Sequence, residues 1–146
     1  MTFRILGGSL LLMWVTAAVS APMRAQEPQL SRSVNDGVFT EEQAKRGEPM
    51  YGEFCASCHG PALSGGEMAP PLVGGDFASS WVGLSLNDLF ERMRISMPQN
   101  KPGSLSRQQN ADILAFVLAS GKYPAGKTEL PKENEVLKTI KFEAPK

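Results

Sequence analysis

The 146-residue sequence predicts an all-α protein, and three observations carry that reading. Three segments open on a helix-capping pattern, Thr40 with Gln43, Ser85 with Asp88 and Ser106 with Gln109, and each continues with apolar residues at helical spacing. From His59 to Ser80 the chain holds Gly65-Gly66, Pro70-Pro71 and Gly74-Gly75, so a loop rather than regular structure is expected there. No Val/Ile-rich strand flanks the single cysteine cluster, which argues against a βαβ unit around it.

The elements follow in order. Arg4 precedes an apolar run, Ile5 to Val19, and Ala18-Val19-Ser20 supplies small residues of the kind a signal peptidase reads, so residues 1–20 read as a cleaved signal peptide. Pro22 disfavours cleavage after Ala21, leaving Ser20 as the expected site and Ala25 as the second candidate. An uncleaved membrane anchor is the alternative, although the run is short against the ~20 residues a spanning helix needs. About 125 residues remain, enough for one domain. Residues 21–39 are polar, Pro-containing and aperiodic, and are expected to be a flexible arm. The first helix follows Thr40 and carries Ala44, Gly47, Tyr51 and Phe54 on one face. Pro49 inside it predicts a kink or a late start, because an interior proline removes a hydrogen bond and crowds the carbonyl of Lys45.

That helix runs into Cys55-Ala56-Ser57-Cys58-His59, which contains both cysteines and the sole histidine of the chain. A C-x-x-C-H run reads as a c-type haem attachment site: two thiols add to the two vinyl groups of one haem, and the adjacent imidazole binds iron on that face. A closed zinc site would need four ligands, more than these three side chains supply. A thioredoxin-like pair would leave His59 without a role, and a plain structural disulfide remains the bland alternative. Haem attachment of this kind occurs outside the bacterial inner membrane, so the motif and the signal peptide together predict a periplasmic protein.

Beyond the loop, Leu86, Leu89, Phe90 and Met93 form the apolar stripe of a second helix. A third is expected over Arg107 to Ser120, with Ile113, Phe116 and Val117 inward and Gly121 as its stop. In the C-terminal extension, residues 122–146, the Val136, Leu137 and Ile140 group is read equally as a docking turn or a frayed end. Residues 40–121 thus form the expected domain. A haem iron needs a sixth ligand, and with one histidine a bis-histidine arrangement is excluded. Met23 lies in the arm, Met50 on the entering helix and Met93 on an apolar stripe, where methionine is usual core filler. Met97, followed by Pro98 in a Pro/Gly-bounded loop, is the expected ligand, with Met68 and an open or exchangeable site as alternatives.

Charge excludes some functions. The chain has 15 Lys and Arg against 15 Asp and Glu, unevenly spread, with a mildly acidic body and a mildly basic tail. Nothing resembles the clustered cationic face of a nucleic-acid binder. Arg92, Arg94 and Lys101 read as solvated surface charge and Trp81 as core. Two functional classes remain: an electron carrier with a six-coordinate His/Met haem, or a gas sensor or enzyme with a labile site. The lack of any distal histidine favours the carrier.

Taken together, the helix, Cys55-x-x-Cys58-His59-Gly60, the Pro70-x-Leu72-x-Gly74 loop, a helix, Met97-Pro98 and a closing amphipathic helix resemble class I cytochrome c over Thr40 to Gly121. The resemblance implies three main helices and loops wrapped around one covalent haem with its iron. It also implies that the carbonyl of Pro70 accepts the Nδ1 hydrogen of His59, and that Gly47 and Tyr51 meet Phe116 where the first and last helices cross. More narrowly, Ala69-Pro70-Pro71-Leu72, Pro102-Gly103-Ser104-Leu105-Ser106 and Tyr123-Pro124-Ala125-Gly126 are similar to small cytochromes c that accompany quinoprotein dehydrogenases. That likeness implies a pyrroloquinoline-quinone dehydrogenase as electron donor and an oxidase or another cytochrome as acceptor.

Overall fold

The computed structural model describes residues 32–67 and 69–146. The expected signal peptide, the first part of the arm and Met68 lie outside the described residues. The architecture is all-α, with helices α1 (Glu41–Phe54), α2 (Ala56–His59), α3 (Gly74–Trp81), α4 (Leu86–Ser96), α5 (Arg107–Ser120) and α6 (Asn134–Leu137). Two short strands, β1 (Arg32–Ser33) and β2 (Ile140–Lys141), pair in parallel.

Helix α1 starts where its cap predicts. Thr40 Oγ1 accepts from Gln43 N at 3.1 Å, and Glu41 and Glu42 in the first turn suit the helix dipole. The helix continues to Phe54 with Pro49 inside it, so no late start occurs. The reciprocal half of the expected capping box is replaced by a long-range pair. The Gln43 side chain is fully buried, its Nε2 donating to Leu130 O at 3.2 Å and its Oε1 accepting from Leu130 N at 2.6 Å.

Helices α1 and α5 form the main crossing. Gly47 lies so close to α5 that a Cβ there would stand 1.9 Å from Asp112 O. Beside it, Arg46 makes a two-pronged pair with the buried Asp112 carboxylate, at 3.2 and 3.1 Å, and also reaches Glu129 at 2.8 Å. One turn along, the Tyr51 and Phe116 rings meet with centroids 5.3 Å apart, as the resemblance implies. Helix α5 begins with a complete Ser106–Gln109 capping box and ends at Gly121. At the start of α4, Ser85 N and Oγ both donate to the Asp88 carboxylate.

Two sequence expectations are corrected. Residues 74–80, expected to be loop, belong to α3, whose stability comes from tertiary burial rather than from a side-chain cap: Phe77 and Ala78 are buried, and Phe77 meets Phe142 edge-on at 6.0 Å. Residues 32–39, expected within a flexible arm, are built into the body. Val34, Val38 and Phe39 are 1% exposed or less, and Ser33 caps a single 3₁₀ turn at Val34–Asp36. The physical reason lies at the other end of the chain. Leu130, Leu137, Ile140 and Phe142 are buried too, so the docking alternative for 122–146 is the one observed. Each such side chain withdrawn from water contributes roughly 1.5–3 kcal/mol.

The two ends are laced together. Ser33 Oγ donates to Glu143 at 2.7 Å, Asn35 Nδ2 to Ala144 O at 2.9 Å, and Gly126 N to Phe39 O at 2.7 Å. At that last contact a Cβ on Gly126 would stand 2.0 Å from Gly37 O, so only glycine permits the approach. Phe142 joins this clasp to the body, its ring against Tyr123 at 5.6 Å and its backbone bonded to Gly83 and Leu84.

Candidate haem site

Cys55 stands at the junction of α1 and α2. Its N–H closes α1 on Tyr51 O at 2.9 Å, and its carbonyl accepts from Cys58 N at 3.2 Å and His59 N at 3.0 Å, forming the next helical turn. A three-residue offset within one turn puts the two thiols on the same side. Both are free, Cys55 half-buried and Cys58 exposed. Burial, and secondarily the nearness of Cys58, pushes the Cys55 thiol up to about 11.

His59 is buried, and its Nδ1 lies 2.8 Å from Pro70 O. A carbonyl can only accept, so Nδ1 carries the hydrogen, and the Nε2 lone pair is left as the ring's ligand atom. The loop between them is shaped by its own backbone bonds: Leu63 N to Gly60 O at 3.1 Å, Gly65 N to His59 O at 2.9 Å and Leu72 N to Leu63 O at 2.8 Å. Gly65, with φ +76°, has the Pro71 nitrogen 2.6 Å from where a Cβ would be.

Two residues of this loop support escaped the sequence reading. Tyr51, expected only at the helix crossing, also donates from its hydroxyl to Gly60 O at 2.6 Å and so ties α1 to the end of the haem motif. Its burial was the available signal, since a buried tyrosine hydroxyl requires a partner. Burial, with Cys55 a lesser cause, pushes that hydroxyl up to about 12. Leu63 is buried with φ +57°, a left-handed conformation for which a leucine carries no sequence signal.

Cys55, Cys58, His59 and Pro70 are thus brought together. Met97 stands apart from them in the chain, at the C-terminal end of α4, half-buried and extended, with its N–H bonded to Met93 O at 2.9 Å. Met93 and Met50 pack partly buried against the core. Trp81 also packs there, and Arg94 is bound to Glu91 rather than free in solvent. No group of three or more His, Cys, Asp and Glu suited to a bare metal ion occurs among the described residues.

These residues fit a covalent haem: two free thiols on one helical turn, an imidazole with one nitrogen occupied and the other available, and half-buried Leu72 and Val73 just beyond Pro70. The fold and the site define a c-type cytochrome. The family model described as cytochrome c oxidase, cbb3-type, subunit III matches residues 42–117, just over half the chain, and the protein belongs to that family of cytochrome c domains. Neither a curated protein nor a solved structure matches the chain. A domain of this family holds haem c with its iron, and the protein is a haem-based electron carrier rather than an enzyme.

Proposed function

We propose that the protein is a periplasmic one-electron carrier whose haem iron is held by His59 and Met97, and that it takes electrons from a quinoprotein dehydrogenase and delivers them toward an oxidase or another cytochrome. The observation that carries this reading is the 2.8 Å contact between His59 Nδ1 and Pro70 O, which presets the imidazole as a ligand. When bound, the haem supplies reversible one-electron chemistry through its iron.

The chain's own residues do the rest. Cys55 and Cys58 would hold the ring covalently, and Pro70 and Tyr51 hold the His59 side of the site still. His59 is itself buried, which would keep water from that side of the iron, so little rearrangement would accompany transfer. A methionine thioether at the sixth position raises the potential relative to a second nitrogen ligand. Met97 is offered by the end of a helix, whereas Met68 follows His59 too closely to reach the opposite face with ease.

The test is the optical spectrum of the ferric protein. A low-spin spectrum with a methionine-to-iron charge-transfer band is expected, and Met97→Ala should lose that band and lower the potential while Met68→Ala keeps both. A high-spin ferric form whose reduced state binds carbon monoxide would instead mark a sensor or enzyme. The mass of the exported chain reports whether residues 1–20 are removed. The description of the matched family favours one second reading, a subunit of an oxidase assembly. Co-purification from the source separates the two: a dehydrogenase recovered with the protein supports the first, an oxidase the second.

A further inference from the structure

The segment that follows Met97 is weakly held by its own bonds. Residues 98–105 run between α4 and α5 as successive turns, with Lys101 N donating to Pro98 O at 2.9 Å and Ser104 N to Lys101 O at 3.3 Å, and residues 99–104 are exposed. Turn bonds set the shape of such a segment but not its position against the body. Its far end is held by the Leu105 side chain, partly buried against the core, and by one buried polar side chain. Asn110 on α5 is 1% exposed, and its Nδ2 donates to Leu105 O at 3.2 Å and Ser106 O at 2.9 Å.

Two carbonyl acceptors fix which way the amide points, and Asn110 Oδ1 is consequently buried with no partner among the described residues. A leucine of similar size would avoid the cost of that orphaned oxygen. The start of α5 does not require the amide. Ser106 O already accepts from Asn110 N at 3.0 Å, and the Ser106–Gln109 box caps the helix. What the side chain adds is the bond to Leu105 O, the last residue of the segment.

We infer that Asn110 is a positioning residue for the Met97 side of the haem site, pinning the 98–105 segment to α5 and so restraining the Met97 sulfur. The inference rests on Met97 being the sixth ligand. A loosened segment raises the fraction of molecules in which Met97 has left the iron, without unfolding the α1–α5 body.

The experiment titrates the ferric holoprotein with imidazole, follows loss of the charge-transfer band, and measures denaturant unfolding in parallel. Imidazole competes with Met97 for one position, so its apparent affinity reports the open fraction. Asn110→Leu is expected to bind imidazole roughly three- to tenfold more tightly, the worth of one neutral hydrogen bond. Ser106→Ala removes the cap at the same helix end but keeps the tie to Leu105, so it should lower the unfolding midpoint and leave imidazole affinity unchanged. The inference is overturned if Asn110→Leu binds imidazole as the wild type does, or if Ser106→Ala loosens the site equally. Should Asn110→Leu not fold, Asn110→Ser, too short to reach Leu105 O, carries the same expectation. The ligand reading fails separately: a band retained in Met97→Ala, or absent from the wild type, removes Met97, whereas an unchanged Asn110→Leu in a protein that has the band removes only the role of Asn110.

Discussion

Gly47 and Lys122 mark the two extremes of what a single residue does here. At Gly47 an added methyl would stand 1.9 Å from a backbone oxygen of the opposing helix, and neither helix can yield without disturbing the Arg46–Asp112 pair and the Tyr51–Phe116 contact. Gly47→Ala is therefore expected to cost at least the ~1–3 kcal/mol of ordinary overpacking, read as a lower denaturant midpoint and a lower yield of haem-loaded protein. Lys122 is exposed, with φ +66°, and its left-handed backbone closes α5, Lys122 N bonding Ala119 O at 3.0 Å and Tyr123 N bonding Leu118 O at 3.1 Å, a position that glycine fills without the Cβ penalty. Lys122→Gly removes a penalty of about 1–2 kcal/mol and adds about 0.5–1 kcal/mol of unfolded-state freedom, so a net gain of up to ~1 kcal/mol is expected in thermal unfolding. Leu63 has nearly the same φ but is buried, so its side chain offsets the strain and the same exchange gains nothing there.

At the scale of elements, Glu91 on α4 is the electrostatic junction. Its carboxylate accepts from Arg94 Nη2 at 2.7 Å and Arg107 Nη1 at 2.9 Å, while the Arg107 guanidinium lies 4.9 Å from the Phe90 ring centroid and bonds Lys132 O and Asn134 Oδ1. One acidic group thereby joins α4, α5 and the approach to α6. The Arg94 hydrogen bond, with Arg107 adding, holds the Glu91 carboxyl below its ordinary value of 4.5. A carboxyl depressed in the folded state contributes stability that is present above its unfolded value and lost as the pH falls through the folded one. Wild-type stability should therefore fall as the pH drops below about 4.5, and Glu91→Gln should flatten that decline; unfolding midpoints at about pH 7 and about pH 4 check it.

The sequence disclosed α4 and α5 because their capping residues and apolar spacing are local, and α5 is bounded by Ser106 and Gly121, although Lys122 rather than Gly121 takes the left-handed conformation that ends it. It disclosed the haem motif because thiols and imidazole are rare and their order is chemically constrained. Helix α3 stayed hidden behind Gly74-Gly75, since its reason to exist, Phe142 against Phe77, is supplied from the far end of the chain. The Gln43 amide looked like a capping partner because Leu130, its actual partner, is likewise remote in sequence.

At the scale of the whole molecule, charge and closure govern behaviour. Equal numbers of cationic and anionic side chains leave little net field to steer a partner. Reduction by a donor dehydrogenase, followed by stopped flow, is accordingly expected to change only modestly between low and high ionic strength, unlike a strongly steered pair. A rate that collapses on adding salt would instead reveal a local charged docking face.

The parallel pairing of residues 32–33 with 140–141 also sets an order of folding events. A chain delivered from its N-terminus presents Arg32 and Ser33 long before their partners exist, and contacts of such sequence separation are slow to form because the intervening chain must first be ordered. Arg32 and Ser33 have to wait for Ile140 and Lys141, and Asn35 for Ala144, while the cysteines and histidine of the haem motif are already in hand. The clasp is thus the closing step of assembly, at which both ends of the body lose their independent motion together.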